Sequence, residues 1–263
     1  FPWALDKFEK FEAADKYAVQ GLSVRNRTNG IGMPVIALRK ALKDSIFGSQ
    51  AIPASIFLKP DGKLQQLKSG NFKASLELYS SYEDAVINVN SINVPVETDT
   101  TTATAYKLSD EAVWSFGVDA FLGKLQNVPS RIYRFQPYNP DRIPVIFVHG
   151  TFSSPVWWAE MINTLNGDSV LRKKYQFWYF FYNSSRLITI SANDLRSEIQ
   201  RNIKKLDPEN RSEAMKNMVV IGHSQGGLLT KMTAIDTGDS LMKTVIKGNL
   251  EDLKTSEENR KII

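Results

Sequence analysis

The sequence predicts an α/β fold in its C-terminal half, a parallel sheet with helices on both faces, preceded by a small α+β or β-rich domain. From residue 143 onward, short runs of β-branched and aromatic residues alternate with segments of helical periodicity. Alternation at this spacing is typical of parallel strands joined by right-handed crossovers. We therefore predict an N-terminal accessory domain over residues 1–130 and the α/β domain over residues 131–263.

Hydrophobic periodicity divides the accessory domain into short elements. Apolar residues three and four apart predict helices, and apolar residues alternating with polar ones predict half-buried strands. The predicted elements are a helix over 1–18, a loop over 26–32, a helix over 33–47, a hairpin of 54–58 with 63–67, strands over 72–79, 86–89 and 92–96, a helix over 102–107 capped by Asp99, and an aromatic-rich segment over 111–125. This part contains no histidine and no recognisable catalytic cluster.

A proline-containing stretch over residues 129–142 is predicted to link the two halves. The α/β elements follow it: strands over 143–148, 176–182 and 218–223, and helices over 155–165, 191–206 and 226–236. Tyr182-Asn183-Ser184 follows the second of these strands at its C-terminal end, where open α/β sheets bind ligands.

The segment Gly222-His223-Ser224-Gln225-Gly226 lies between a predicted buried strand and a predicted helix. A serine on a sharp strand-to-helix turn exposes its hydroxyl, and the close approach of strand and helix requires glycine two residues to either side. The N-terminus of the helix also directs N–H groups toward a developing oxyanion. We predict that Ser224 is a nucleophile. A glycine-rich turn without a catalytic role is the alternative, because the bare pattern is common.

A second motif, His149-Gly150-Thr151, ends the strand predicted over 143–148. With both motifs, residues 131–240 resemble the α/β-hydrolase superfamily, in particular bacterial lipases and carboxylesterases. The resemblance implies an incomplete α/β-hydrolase sheet and a serine hydrolase of carboxylic esters, with lipids or other acyl esters as substrates. It implies the following roles: Ser224 as nucleophile, Thr151 and Gln225 as oxyanion-hole residues through their backbone N–H groups, and His149, Gly150, Gly222 and Gly226 as structural positions of the motifs.

A catalytic serine needs a base and a carboxylate that orients the base. The two histidines of the chain, His149 and His223, both belong to the motifs. In α/β-hydrolases the acid and the histidine follow the nucleophile along the chain. We therefore expect both beyond Ile263, in a longer protein of which this chain would be an inactive fragment. The alternative is a non-catalytic α/β-hydrolase-like binding scaffold that lacks a triad.

Three aromatic residues after the second motif, Phe152, Trp157 and Trp158, are candidates for a substrate pocket or equally for the buried face of a helix. The sequence contains no recognisable phosphate-binding loop, metal-ligand cluster or nucleic-acid motif, so no cofactor, metal or nucleic-acid partner is predicted.

The composition, with 42% hydrophobic and 23% charged residues, is typical of a globular protein. The absence of cysteine excludes disulfides and thiolate metal sites. The net charge of +5 is scattered along the chain. It fits association with an anionic membrane surface, although a solvated basic surface is the simpler interpretation. The start at Phe1 and the family resemblance predict an extracytoplasmic location, and the oligomeric state is left open.

Overall fold

The computed structural model describes residues 5–40, 50–61, 69, 73–89, 91–109, 115, 118–119, 122, 124, 128–134 and 136–235. The chain forms two compact units. Unit 1 consists of Phe1–Val113, Phe135–Pro137 and Ala159–Tyr175, and unit 2 consists of Trp114–Arg134, Tyr138–Trp158 and Gln176–Ile263. Each unit therefore draws on segments that are separated in the sequence.

Unit 1 contains a four-stranded antiparallel sheet, two short strand pairs, three α-helices and two 3-10 turns (Leu5–Lys7 and Ala14–Lys16) among its described residues. The strands are β1 (Phe8–Ala13), β2 (Arg27–Thr28), β3 (Met33–Arg39), β4 (Gln50–Asp61), β5 (Lys73–Ser80), β6 (Val86–Val89), β7 (Ile92–Pro95) and β8 (Thr98–Asp99), and the helices are α1 (Thr101–Leu108), α2 (Ala159–Gly167) and α3 (Ser169–Lys174). The large sheet has the order β1-β3-β4-β5, and β2 pairs with β8 and β6 with β7, all antiparallel. One hydrophobic cluster of this unit consists of Val35, Ala37, Ile52 and Ala54, with Phe8, Ile56 and Leu78 packed against them.

The helices predicted over residues 1–18 and 33–47 are wrong. The centre of the first is strand β1, flanked by the short 3-10 turns Leu5–Lys7 and Ala14–Lys16, and the described part of the second is strand β3. β3 is an inner strand, and its consecutive residues 34–37 are all buried. A strand that is covered on both faces shows no alternation of apolar and polar residues, so helical spacing can arise in it by coincidence. Residues 1–4 and 41–49 lie outside the described residues.

Other predictions for this part of the chain are confirmed. The strands predicted over 72–79, 86–89 and 92–96 correspond to β5, β6 and β7, and the helix predicted over 102–107 corresponds to α1. The first strand of the predicted hairpin lies within β4, which pairs with β3 and β5. Its second strand, over 63–67, and most of the aromatic-rich segment over 111–125 lie outside the described residues.

Asp99 caps α1 with a fully buried carboxylate. It accepts hydrogen bonds from the backbone N–H groups of Thr101 and Thr102, at 3.1 and 2.9 Å, and forms an ion pair with Arg25 at 2.7 Å. Thr101 also donates its hydroxyl to the side-chain oxygen of Asn163 in α2, at 2.7 Å. Since carboxylates are costly to bury without partners, this network accounts for an ionised side chain inside unit 1.

The second sheet contains β9 (Arg131–Arg134), β10 (Ile143–Val148), β11 (Tyr175–Phe181) and β12 (Val219–Gly222), in the order β12-β10-β11-β9. The helices of unit 2 are a 3-10 helix (Pro155–Trp158), α4 (Ile188–Leu206), α5 (Glu213–Lys216) and α6 (Gln225–Ala234). These elements confirm the individual strands and helices predicted after residue 142. The core of the unit combines Ile146, Val148, Trp178, Phe180 and Tyr182 with Leu195 and Leu229 from the two long helices.

The predicted fold class, a parallel α/β-hydrolase sheet with helices on both faces, is wrong. β10 runs parallel to β12, with Val148 opposite Gly222, but β9 runs antiparallel to β11, with Arg134 opposite Trp178. The second sheet is therefore mixed, and the sheet of unit 1 is antiparallel. The strand responsible, β9, lies in the stretch over 129–142 that was predicted to be a linker. Its four residues are half-buried and pair with one neighbouring strand only, so they show no alternation of apolar and polar residues. The prolines nearby in the sequence also made the segment resemble a linker.

The parallel pair β10 and β12 positions both motifs. Because Val148 and Gly222 are the last residues of neighbouring strands in register, the segments that follow them, from His149 and from His223, leave the sheet side by side. A hydrogen bond from His223 N–H to the Val148 carbonyl, at 3.1 Å, continues the pairing beyond the strands. None of the helices in the described residues is long and apolar enough to cross a membrane.

Candidate functional site

Ser224 occupies a strained position between β12 and α6. Its φ of 54° and ψ of −125° place a residue with a Cβ atom in a region that glycine favours. The backbone is held there by hydrogen bonds of 2.9 Å from Gly226 N–H to the His223 carbonyl and from Gly227 N–H to the Ser224 carbonyl. Strain of this kind persists only where the surroundings enforce it, and it is frequent at functional sites. The side chain of Ser224 is exposed, as expected of a nucleophile on a sharp turn.

The glycines of both motifs are required by close backbone approach. A Cβ atom on Gly222 would lie 2.3 Å from the Gly226 carbonyl oxygen, and one on Gly226 would lie 2.3 Å from the Val148 carbonyl oxygen. A Cβ atom on Gly150 would lie 3.0 Å from the Ser224 Cβ. The first two distances are shorter than any tolerated contact, so the strand, the turn and the helix can pack in this way only without side chains at these positions.

His149 is a buried structural residue. Only 1% of its surface is exposed, and burial lowers the pKa of its ring from 6.5 to about 4, so the ring is neutral near pH 7. Nε2 accepts a hydrogen bond from the backbone N–H of Tyr182 at 3.4 Å, which leaves the proton on Nδ1, where it is donated to the Gly150 carbonyl at 2.9 Å. Both ring nitrogens are engaged, so His149 is not available as a base for Ser224.

The two predicted oxyanion-hole residues, Thr151 and Gln225, are brought together. The hydroxyl of Thr151 donates to the side-chain oxygen of Gln225 at 3.0 Å, although 74 residues separate them in the sequence. Neither backbone N–H group has a hydrogen-bond acceptor among the described residues. Two unpaired donors beside an exposed serine are suited to stabilising negative charge on an attacked carbonyl oxygen.

A cavity of about 420 Å³ opens beside Ser224. The lining consists of the three predicted pocket residues, Phe152, Trp157 and Trp158, together with His149, Gly150, Thr151, Ser153, His223 and Ser224. Phe152 and Trp157 are 52% and 67% exposed, whereas Trp158 packs its ring against Phe147, with centroids 4.9 Å apart. The cavity therefore has an apolar wall of three aromatic residues. Trp158 packs against a buried residue of the sheet, and Phe152 and Trp157 are accessible to a ligand.

His223 also lines the cavity, but nothing orients it as a catalytic base. Its ring lies edge-on to Trp158, with centroids 6.5 Å apart. Within the described part of the chain, neither a carboxylate nor the hydroxyl of Ser224 is hydrogen-bonded to the ring. A serine nucleophile requires a base within hydrogen-bond distance that is itself oriented by a third group. The described residues thus bring the predicted nucleophile and the predicted oxyanion donors together, but they include no oriented proton acceptor for Ser224.

The sequence placed Tyr182 only within the segment Tyr182-Asn183-Ser184, at the ligand-binding end of a predicted strand, and the structure shows that its side chain contacts residues of both motifs. Its buried hydroxyl lies 2.9 Å from the His149 carbonyl oxygen and 3.2 Å from the side-chain oxygen of Gln225. The only signal in the sequence is its position at the end of a predicted strand, next to Asn183.

Comparison of the chain with protein-family models, curated proteins and solved structures finds no match. Among the described residues, no group of three or more histidine, cysteine, aspartate or glutamate side chains could hold a metal ion.

Proposed function

We propose that this chain carries the nucleophile and oxyanion site of a serine hydrolase that acts on carboxylic esters with an apolar acyl group. The observation that carries the proposal is the strained backbone of Ser224. This residue lies between two glycines whose replacement would create backbone clashes, and beside two N–H groups that have no acceptor among the described residues. A strained backbone at an exposed serine is consistent with catalysis, because the turn directs the serine hydroxyl toward a bound ligand and away from the protein.

The expected chemistry is acyl transfer through the Ser224 hydroxyl. The oxygen attacks the acyl carbon while a base takes its proton, and the backbone N–H groups of Thr151 and Gln225 bind the resulting oxyanion. When the oxyanion collapses, the bond to the alcohol oxygen breaks and the alcohol leaves with that proton. Water then attacks the acyl-serine in the same way, which releases the carboxylic acid and restores the Ser224 hydroxyl. Donors of this kind typically contribute a factor of about 10² to 10³ in kcat each. The apolar wall formed by Phe152 and Trp157 supports an acyl group without charge, such as that of a lipid or a simple ester.

The resemblance of both motifs to the oxyanion loop and nucleophile turn of bacterial lipases and carboxylesterases supports the same reaction class. It does not extend to the sheet, which is mixed. A histidine and an acid to activate Ser224 are not among the described residues, and the sequence contains no third histidine. Membrane-surface association and an extracytoplasmic location stay predictions.

The missing proton acceptor suggests a direct test of the nucleophile. The purified chain is incubated with a fluorophosphonate, with and without added imidazole, and the modified residue is identified by mass spectrometry. Imidazole can act as a diffusible base, so we expect it to accelerate formation of an adduct on Ser224. Ser224→Ala should abolish the adduct. Exposed Ser185, which has ordinary backbone angles, is the matched control, and Ser185→Ala should label at the wild-type rate.

A second candidate function, a non-catalytic binding scaffold, is favoured by the absence of an oriented base among the described residues. It predicts that an uncharged acyl compound binds in the cavity while Ser224 stays unmodified at every imidazole concentration. Adducts spread over several serines, or labelling that survives denaturation in urea, would contradict the hydrolase proposal.

A further inference from the structure

The side chain of Gln225 is held by two hydroxyl groups from different parts of the chain. Its oxygen accepts from the Thr151 hydroxyl at 3.0 Å and from the Tyr182 hydroxyl at 3.2 Å. The proton of Tyr182 is shared with the carbonyl oxygen of His149 at 2.9 Å. We call this set of contacts, formed by Tyr182, Thr151, Gln225 and the His149 carbonyl, the hydroxyl clamp.

Tyr182 is itself fixed from several directions. None of its surface is exposed, and its ring stacks on the His149 ring with centroids 4.4 Å apart. Its backbone N–H donates to the same ring. Burial raises the pKa of the phenol, so the hydroxyl keeps its proton and stays a donor throughout the pH range of ordinary assays. The tyrosine is therefore a rigid support and not a titrating group.

The clamp connects the two segments that supply the proposed oxyanion donors. Thr151 belongs to an exposed segment next to Phe152, which has a φ of 56°, and Gln225 is the first residue of α6. Below them, the ends of β10 and β12 are joined by backbone contacts. The clamp adds a second connection, through the side chains of Thr151 and Gln225. The backbone N–H groups of these two residues are the ones that must both point at the oxyanion.

We propose that Tyr182 is a positioning residue, which sets the distance between the Thr151 and Gln225 N–H groups through the Gln225 side chain. The inference rests on the proposed function of Ser224. Tyr182 does not touch the reacting atoms in this arrangement. It acts on the rate because an oxyanion site stabilises a transition state only when its donors are already in place, and a misplacement of about 1 Å can cost about 10²-fold.

The inference predicts a specific kinetic pattern for the imidazole-assisted reaction of Ser224 with a fluorophosphonate. Tyr182→Phe removes one hydroxyl and should lower the maximal labelling rate by about tenfold. The half-saturating probe concentration should stay unchanged, because the cavity wall is intact. Tyr138→Phe is the matched control, since Tyr138 packs on Trp178 in the same unit and takes no part in the clamp. It should label at the wild-type rate.

A second pair of variants guards against a folding defect in Tyr182→Phe. The side chain of Thr151 is exposed, so Thr151→Val should fold normally while losing the hydroxyl. It should label about as slowly as Tyr182→Phe, and Thr151→Ser, which keeps the hydroxyl, should restore most of the rate. The double variant, Tyr182→Phe with Thr151→Val, should label more slowly than the wild type by a factor smaller than the product of the two single factors. The effects should not multiply, because both substitutions act through the side chain of Gln225.

A measurement that does not depend on any reaction of Ser224 separates this inference from the proposed function. With ¹⁵N-labelled threonine and glutamine, the amide resonances of Thr151 and Gln225 should shift in Tyr182→Phe and not in Tyr138→Phe. Unshifted amides, or shifted amides with an unchanged labelling rate, would overturn the positioning role. If the wild-type chain is never labelled, the hydrolase proposal has failed, and the amide shifts alone decide whether the clamp positions the two segments.

Discussion

Lowering the pH from about 8 to about 5 should destabilise unit 2 through a single buried side chain, His149. In the folded chain the pKa of this histidine is about 4, and its ordinary value is 6.5. Between these values the unfolded chain binds a proton that the folded chain does not, so the free energy of unfolding decreases as the pH falls. The contribution of His149 is fully present above pH 6.5 and is lost progressively below it.

The magnitude follows from the difference between the two pKa values. One pKa unit corresponds to about 1.4 kcal/mol, so the full difference of about 2.5 units corresponds to about 3 kcal/mol below pH 4. At about pH 5 the expected loss relative to about pH 8 is about 2 kcal/mol. Urea unfolding followed by tryptophan fluorescence measures it, because Trp157, Trp158 and Trp178 lie in the same unit as His149.

Carboxylates also titrate in this range, so the informative quantity is the difference between wild type and variant at each pH. His149→Gln should be less stable at about pH 8 but should lose about 2 kcal/mol less on acidification than the wild type. Parallel curves for wild type and His149→Gln would refute the assignment of a neutral, buried ring.

Two further pairs of substitutions test the packing arguments. Gly226→Ala should destabilise unit 2 by about 3 kcal/mol, because its Cβ would lie 2.3 Å from a backbone oxygen of β10. Gly227→Ala, whose Cβ meets nothing nearer than 3.5 Å, should leave the urea midpoint unchanged or raise it. Asp99→Ala should cost unit 1 about 2 to 4 kcal/mol, since it leaves a guanidinium and two helix N–H groups without their acceptor. Asp15→Ala, at an exposed ion pair, should leave the urea midpoint of unit 1 nearly unchanged. Equal losses within either pair would contradict the argument for that site.

The local geometry of the turn at Ser224 was more predictable from the sequence than the fold. The spacing of Gly222, Ser224 and Gly226 reflects a local steric requirement, which is encoded by residues that are neighbours in the chain. That Thr151 and Gln225 lie close together was expected only because both positions belong to motifs, and the hydrogen bond between their side chains was not predicted. The role of Tyr182 could not be anticipated in this way, because it depends on three-dimensional contacts with residues 33 and 43 positions away.

The errors in the fold have a common physical origin. Residues 33–47 were predicted to be helical because Val35, Leu38, Leu42 and Ile46 fall at helical spacing in the sequence. The apolar run of a strand that is buried on both faces contains pairs such as Val35 and Leu38 at the same spacing. Only the neighbours β1 and β4 decide between helix and strand. The short strand Arg131–Arg134 was overlooked because an edge strand of four residues carries little pattern of its own, and its pairing partner lies more than 40 residues away in the sequence. The direction of a strand in a sheet depends on residues that are distant in the sequence. Alternation of strands with helices predicts parallel strands, but it does not show whether a further strand, such as β9, pairs antiparallel at the edge.

The division of the chain between two units affects how the protein can be synthesised and dissected. The 3-10 helix that carries Trp157 and Trp158 belongs to unit 2, whereas α2 begins at the next residue and belongs to unit 1. During translation, unit 1 cannot be completed before residue 175 has emerged, by which time part of unit 2 has already been made. Neither unit can therefore be obtained by a single cut in the gene. Variants that weaken one unit should be examined for their effect on the yield of the other.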